Sequence, residues 1–131
     1  SQNNDVPIFR YADILLTKAE AIARGASATN GETAQSLFNQ IRSYAGAPTL
    51  SSTPTLKDIL DERGREFLDE HWRRNDMIRF GTFESDFGFH RKSFVDVNGN
   101  IIANFDKTRR IFPIPTGVLN NNTNWKQNPG Y

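Results

Sequence analysis

The chain has 131 residues, of which 37% are apolar, so it is long enough to bury one moderate hydrophobic core. Charged residues make up 24% and the net charge is only +1, which argues against an extended basic face for nucleic acid. The absence of cysteine excludes disulfide frameworks and thiolate metal sites, and no apolar run approaches the roughly 20 residues needed to cross a bilayer.

Two helices are predicted in the first third of the chain. The first covers residues 8–24, with Pro7 at its start and Gly25 at its end. The second covers residues 33–45 and stops at Gly46. A polar loop ending in the turn dipeptide Asn30-Gly31 separates them, so the pattern predicts a helical hairpin of tetratricopeptide-like size.

The stretch from Ile59 to Gly81 predicts a long amphipathic helix followed by a short one. Thr55 and Asp58 form a predicted capping pair at its start, and Gly81 closes the short helix of residues 77–80. Gly64 interrupts the apolar face, which predicts that another backbone crosses there. Three charge pairs are expected along the long helix, namely Asp61 with Arg65, Asp69 with Arg73 and Glu70 with Arg74.

The last 50 residues have a different character. Residues 94–97 and 101–103 flank Asn98-Gly99, a pattern typical of a small β-hairpin. An extended, proline-containing tail follows, with a short helix over residues 116–120 that Thr116 is expected to cap. The predicted fold class is therefore mainly α: tetratricopeptide-like helical hairpins, a small β-hairpin and an irregular C-terminal tail.

Glu62, Glu66 and Glu70 are spaced four apart and could line one helix face. Paired carboxylates hydrolyse glycosidic bonds when one of them has a raised pKa, so a glycosidase is one interpretation. The neighbouring arginines favour the other interpretation, a structural ion-pair network, in which replacing Glu66 costs stability rather than turnover. We therefore predict no catalytic residue.

Other polar candidates are weaker. His71 and His90 have no spacing that would build a metal site, so neither a metal nor another cofactor is predicted. The basic cluster of Lys107, Arg109 and Arg110 is too short for a nucleic-acid site and is interpreted as a solvated face.

Aromatic side chains are the candidates for ligand contact, because sugars present apolar faces that stack on exposed rings. Phe87 and Phe89 lie on a predicted glycine-containing loop, and Trp125 lies in the tail. Trp72 is expected to pack between helices instead.

The central segment resembles the signature E-R-x-x-E-L-x-x-E-G-x-R-x-x-D-L-x-R-W-G of the SusD/RagB family of outer-membrane nutrient-binding lipoproteins. Phe67 replaces a leucine of that pattern, His71 a glycine, and Gly64 a common arginine. The direct matches are Glu62, Arg63, Glu66, Glu70, Arg73, Asp76, Arg79 and Gly81.

Four more segments resemble family motifs. They are residues 10–21 (R-Y-A-D-I-L-L-T-K-A-E-A), 38–46 (F-N-Q-I-R-S-Y-A-G), 111–115 (I-F-P-I-P) and 127–131 (Q-N-P-G-Y). The last of these closes typical members, which are several times longer than this chain. The resemblance therefore implies that residues 1–131 are a single domain, the C-terminal fragment of a larger SusD-like protein.

The resemblance implies a function without bond breaking. Such a protein is anchored to the surface of the outer membrane through a lipid on a missing N-terminal region. It captures oligosaccharide or another nutrient and delivers it to a SusC-like TonB-dependent transporter. A tetratricopeptide-like protein-interaction scaffold is the alternative, and it would be favoured by a concave face rich in exposed Asn, Lys and Arg.

Overall fold

The computed structural model describes residues 8–84, 98 and 107–131. These residues form five α-helices and one 3-10 helix, so the mainly α prediction is confirmed. The chain divides into two compact units, Ser1–Asp76 and Met77–Tyr131. The helices are α1 (Tyr11–Ala23), α2 (Ala34–Tyr44), α3 (Leu56–Glu66), α4 (Arg73–Arg79), the 3-10 helix (Lys107–Arg110) and α5 (Thr116–Asn121).

The core of the first unit lies where α1 packs against both α2 and α3. The loop between α1 and α2 turns at Asn30 and Gly31, whose φ angles of 58° and 70° are both in the left-handed region. The predicted helical hairpin is therefore present. The side chains buried between the three helices are Leu15, Leu16, Ala19, Leu37, Phe38, Ile41, Ile59 and Leu60.

Local signals place most of the helix ends. Thr33 and Thr55 each accept a hydrogen bond from the amide three residues on, in reciprocal capping boxes. At the C-terminal end of α4, the amide of Gly81 donates to the carbonyl of Ile78, and the amide of Thr82 donates to the carbonyl of Met77. This is a Schellman motif, which needs a left-handed residue, and Gly81 has φ of 72°. The predicted caps at Thr55 and Gly81 are confirmed.

The first helix begins later than predicted, at Tyr11 rather than Ile8. Arg10 has an extended backbone and holds the N-cap position without a side-chain capping bond. Ile8 lies outside the helix and is 74% exposed, so the predicted start of the helix at this residue was wrong. Pro7, the expected start signal, lies outside the described residues.

The long helix predicted from Ile59 up to the short helix of residues 77–80 is instead interrupted by a turn. Helix α3 ends at Glu66, and residues 67–71 form turns in which Asp69 and His71 have φ of 64° and 65°. The backbone carbonyl of Glu66 accepts from the guanidinium of Arg10 at 2.9 Å, and the amide of Glu70 bonds to Phe67. An interaction 56 residues away in sequence thus accompanies the end of the helix, and helical periodicity cannot reveal it.

The break changes which charges pair. Asp61 bonds to Lys57 at 2.5 Å, and Arg65 bonds to Glu62 at 2.5 Å. Glu70 bonds to Arg10 rather than to Arg74 as a helical neighbour. The three predicted pairs are therefore wrong. Asp69 with Arg73 and Glu70 with Arg74 would need a helical spacing that residues 67–71 lack. Asp61 and Arg65 both lie on α3, but each pairs with a different residue of that helix.

The neighbour of Gly64 also differs from the prediction. A Cβ at this position would lie 2.8 Å from the Nη1 atom of Arg73, so the close approach is made by a guanidinium rather than by a backbone. The same Nη1 donates to the carbonyl of Leu60 at 2.9 Å. The absence of a side chain at Gly64 therefore leaves room for Arg73 to reach the backbone of α3.

The second unit holds α5 and the tail. Helix α5 is capped by Pro115, which has no side-chain acceptor, so the predicted capping role of Thr116 was wrong. The side-chain amide of Gln127 both donates to the carbonyl of Ile114 and accepts from its amide, each at 2.8 Å. The hydroxyl of Tyr131 donates to the carbonyl of Ile111 at 2.9 Å. The two tail motifs of the sequence thus bind each other. The predicted β-hairpin of residues 94–103 lies outside the described residues, apart from Asn98.

Replacing His71 with glycine should stabilise the fold. A left-handed backbone costs a non-glycine residue about 1 kcal/mol, and His71 is exposed, so little packing is lost. We expect His71→Gly to raise the free energy of unfolding by about 0.5–1 kcal/mol in urea denaturation. As a control, Ala21→Gly introduces the same residue at an exposed helical position and should lower it by about 1 kcal/mol. If His71→Gly is less stable than the parent, the left-handed backbone at residue 71 is not a source of strain.

The Thr55 cap should make stability depend on acid pH. Hydrogen bonds from the side chain and the backbone of Thr55 lower the pKa of Asp58 below its ordinary value. This contribution is complete above the unfolded pKa of about 4 and is lost as the pH falls through the lower folded pKa. We expect Asp58→Asn to destabilise the chain at pH 7 by about 1 kcal/mol and to converge with the parent near pH 2. A constant gap across a urea denaturation series from pH 7 to 2 would disprove this.

Candidate functional site

Arg63 is the most deeply buried cation of the signature segment. Its side chain is 2% exposed, and its Nη1 lies 2.7 Å from Oδ1 of Asp13 on α1. Its Nε donates to Oδ2 of Asp76 on α4 at 2.9 Å, and the Asp76 side chain is equally buried. One guanidinium therefore joins α3 to α1 and to the start of α4.

A second guanidinium binds the turn after α3. Arg10 donates to Oε1 of Glu66 at 2.9 Å and to both carboxylate oxygens of Glu70, at 2.7 and 3.0 Å. These hydrogen bonds, the one to Glu70 first, raise the pKa of Arg10 further above its ordinary value. Bidentate binding of this kind also fixes orientation, because the planar guanidinium fits two carboxylate oxygens at once. Arg10 thus ties the N-terminal end of α1 to the α3–α4 turn.

The third carboxylate of the row faces α2 instead. Oε2 of Glu62 lies 2.7 Å from Nη1 of Arg42 on α2 and 2.5 Å from Nη2 of Arg65 on its own helix. The Glu62 side chain is only 5% exposed, so this pair is partly shielded from solvent. The three glutamates do not form one face, because the turn moves Glu70 off the helix.

Aromatic rings surround these charges. The guanidinium carbons of Arg10 and Arg63 each lie 5.0 Å from the centre of the buried Phe67 ring, a cation–π distance. Trp72 is half-buried, with its ring 5.5 Å from that of Phe9 and 6.0 Å from the guanidinium of Arg63. Phe67 and Trp72 therefore complete the surroundings of the two arginines.

The remaining signature residues are also structural. Arg73 donates to the backbone of α3, and the guanidinium carbon of Arg79 lies 4.9 Å from the centre of the Phe80 ring. Gly81 provides the left-handed cap of α4. Together with Glu62, Arg63, Glu66, Glu70 and Asp76, the eight matching positions form ion pairs, donate to the backbone, contact a neighbouring ring or shape the backbone.

This arrangement suits bracing better than catalysis. A glycosidase needs two carboxylates free to face a sugar, one of them able to donate a proton. Here Glu66 and Glu70 share Arg10, and Glu62 is held between two arginines. Among the described residues, no group of three or more His, Asp or Glu side chains is placed to hold a metal ion.

Of the three predicted ligand contacts, only Trp125 lies in the described part of the chain; Phe87 and Phe89 lie outside it. Trp125 is 57% exposed, and its amide donates to the carbonyl of Asn122 at 2.9 Å. The exposed ring can therefore offer its apolar face to a ligand. Its role in binding stays a prediction.

The basic cluster is more ordered than a solvated face. Arg110 and Glu84 form a two-bonded ion pair, which lowers the pKa of Glu84 and raises that of Arg110. Lys107 is exposed, and the side chain of Arg109 lies outside the described residues. The cluster thus includes a local brace within the second unit.

Sequence reasoning did not single out the partners Arg10, Asp13 and Arg42. Each is a charged residue in or beside the apolar face of a predicted amphipathic helix, and each lies in a run that resembles a family motif. A charge inside an apolar stripe indicates a buried partner, because an unpaired charge there is costly. That signal could have located one end of each ion pair.

The fold and these contacts define a class of protein: a helical scaffold in which the charged residues of the signature segment mostly pair with other residues of the same chain. The chain matches the profile of the SusD family over residues 1–131, and it therefore belongs to that family. It is 35% identical over 129 residues to the starch-binding protein SusD of Bacteroides thetaiotaomicron. The match covers 98% of this chain and 22% of that relative, so the chain spans about a fifth of the relative's length. In the described residues no helix combines the length and apolar character required to cross a membrane.

Removing Arg63 should be far more damaging than removing its exposed neighbour. Arg63→Met removes the Arg63 ion pairs to the buried carboxylates of Asp13 and Asp76, at a cost of about 3–5 kcal/mol. Arg65→Met makes the same change on the same helix, where the side chain is 57% exposed, and should cost at most about 1 kcal/mol. Urea denaturation of both variants measures the difference. Equal losses would show that burial of the ion pair does not matter.

Proposed function

We propose that this chain is the C-terminal part of a SusD-type lipoprotein that captures glycans at the outer membrane. The observation that carries the proposal is the family match over the whole chain, with 35% identity to a relative named as starch-binding. The longer protein would bind oligosaccharide and deliver it to a SusC-like TonB-dependent transporter. A lipid on an N-terminal region would anchor it to the cell surface.

The contacts of the signature segment support binding without bond breaking. Glu62, Glu66 and Glu70 are engaged by arginines, so they are poorly placed to accept or donate a proton to a sugar. Hydrogen bonds and aromatic stacking would hold the glycan instead. This part of the protein would then serve mainly as the scaffold that positions a recognition surface elsewhere.

A scaffold role predicts weak binding by the isolated 131-residue chain. We expect titration with maltooligosaccharides, and with a panel of other glycans, to show no saturation below about 1 mM. Any NMR shift should appear at the exposed indole of Trp125 and not at the half-buried indole of Trp72. The measurement is a set of two-dimensional spectra at increasing glycan concentration.

Two variants sharpen the titration. Trp125→Ala should abolish any weak shift of the backbone amide signals near residue 125, whereas Tyr44→Ala removes another exposed aromatic, 94% accessible, and should leave those shifts unchanged. Saturable micromolar binding by the isolated chain would place the recognition surface within these residues and overturn the scaffold role.

A further inference from the structure

Helix α1 carries apolar residues on two sides. Its inner side buries Leu15, Leu16 and Ala19 against α2 and α3. Nine of its 13 residues are apolar, against five of 11 in α2 and three of 11 in α3. A helix that is apolar all round is normally enclosed by other elements. Within the described structure α1 is enclosed on one side only.

The outer side of α1 forms a stripe of four residues, Tyr11, Ile14, Lys18 and Ala21, which we call the outer stripe. Tyr11 is 73% exposed and Ile14 is 57% exposed. The ammonium group of Lys18 pairs with Glu32, which leaves its aliphatic stem on the stripe. The surface is thus mostly apolar from one end of the helix to the other.

The spacing of the outer stripe indicates what would cover it. Its members are separated by three, four and three residues, the interval at which one helix presents knobs to another. Ala21 is small, so a second helix could approach closely at that end. An extended strand would match side chains with a period of two and would not fit this interval.

We infer that the outer stripe of α1 is the docking surface for a helix from the remaining part of the full-length protein. The inference rests on the proposal that the chain is a fragment, and the match to only 22% of the relative's length leaves ample chain to supply that helix. The covered α1 would then be an internal helix of a longer helical stack.

The size of the outer stripe favours an intramolecular occupant over a second copy of this chain. A stable interface between separate molecules buries roughly 800 Å² on each partner and uses about 20–30 residues a side. Four residues on one helix fall well short of that area. A segment of the same polypeptide needs less surface, because the covalent connection gives it a high effective concentration.

Cysteine labelling tests the inference cleanly, because the 131-residue chain contains no cysteine. Ile14→Cys places a thiol on the outer stripe, and Tyr44→Cys places one at the end of α2, where the native side chain is 94% exposed. Both variants are made in the 131-residue chain and in the full-length protein. The rate of reaction with a maleimide is then followed at each site by peptide mass spectrometry.

In the 131-residue chain both thiols should react at similar rates. In the full-length protein the Ile14→Cys thiol should react at least about tenfold more slowly, while the Tyr44→Cys thiol keeps its rate. Equal rates at both sites in the full-length protein would overturn the inference. If Ile14→Cys is labelled slowly in the short chain, and more slowly still at higher protein concentration, a second copy covers the surface. That result would also overturn the inference.

The readout does not depend on glycan. Protection at residue 14 in a full-length protein that binds no glycan would leave this inference standing and remove the proposed function. If the full-length protein binds glycan but residue 14 is not protected, the proposed function stands and this inference fails.

Discussion

The described fold of the first unit depends on one buried cation. Arg63 is satisfied only when Asp13 on α1 and Asp76 on α4 are both in place, so α3 cannot be in its native position unless the other two helices are as well. Ion pairs of this kind add little net stability relative to apolar packing, yet an unpaired member is very unfavourable. The apolar core supplies most of the driving force, and Arg63 selects one register among the ways in which apolar helices can pack.

The sequence predicted those features that depend on neighbouring residues. The capping box at Thr55 and the left-handed cap at Gly81 involve atoms within a few residues of each other, and each forms as expected. The end of α3 was missed because it involves Arg10, which is 56 residues away. Similarly, the row of three glutamates was recognised as an ion-pair network, but its partners lie elsewhere in the chain, Arg10 before α1 and Arg42 on α2. Local chemistry was therefore predictable, and the identity of distant partners was not.

The backbone conformation of His71 explains why the family pattern has a glycine at this position. The family pattern has a glycine at this position, and the structure gives His71 a φ of 65°, which glycine adopts without strain. The reason is geometric: the chain must reverse between α3 and α4 so that Asp76 can reach Arg63 while Glu70 reaches Arg10. A histidine is accommodated because the surrounding ion pairs hold the turn in place. The same ion pairs thus permit a local strain that the sequence alone would not predict.

The way in which this segment uses its charges limits where recognition can occur. A glycan is bound by polar groups that can exchange water for ligand hydroxyls, and by rings with an open face. The carboxylates of the signature segment are committed to arginines, whose hydrogen bonds would have to be broken before a ligand could use them. An exposed ring such as that of Trp125 keeps its contact surface available. A segment rich in acids and arginines can consequently be central to the fold while contributing little to binding, because its polar groups are already satisfied by one another.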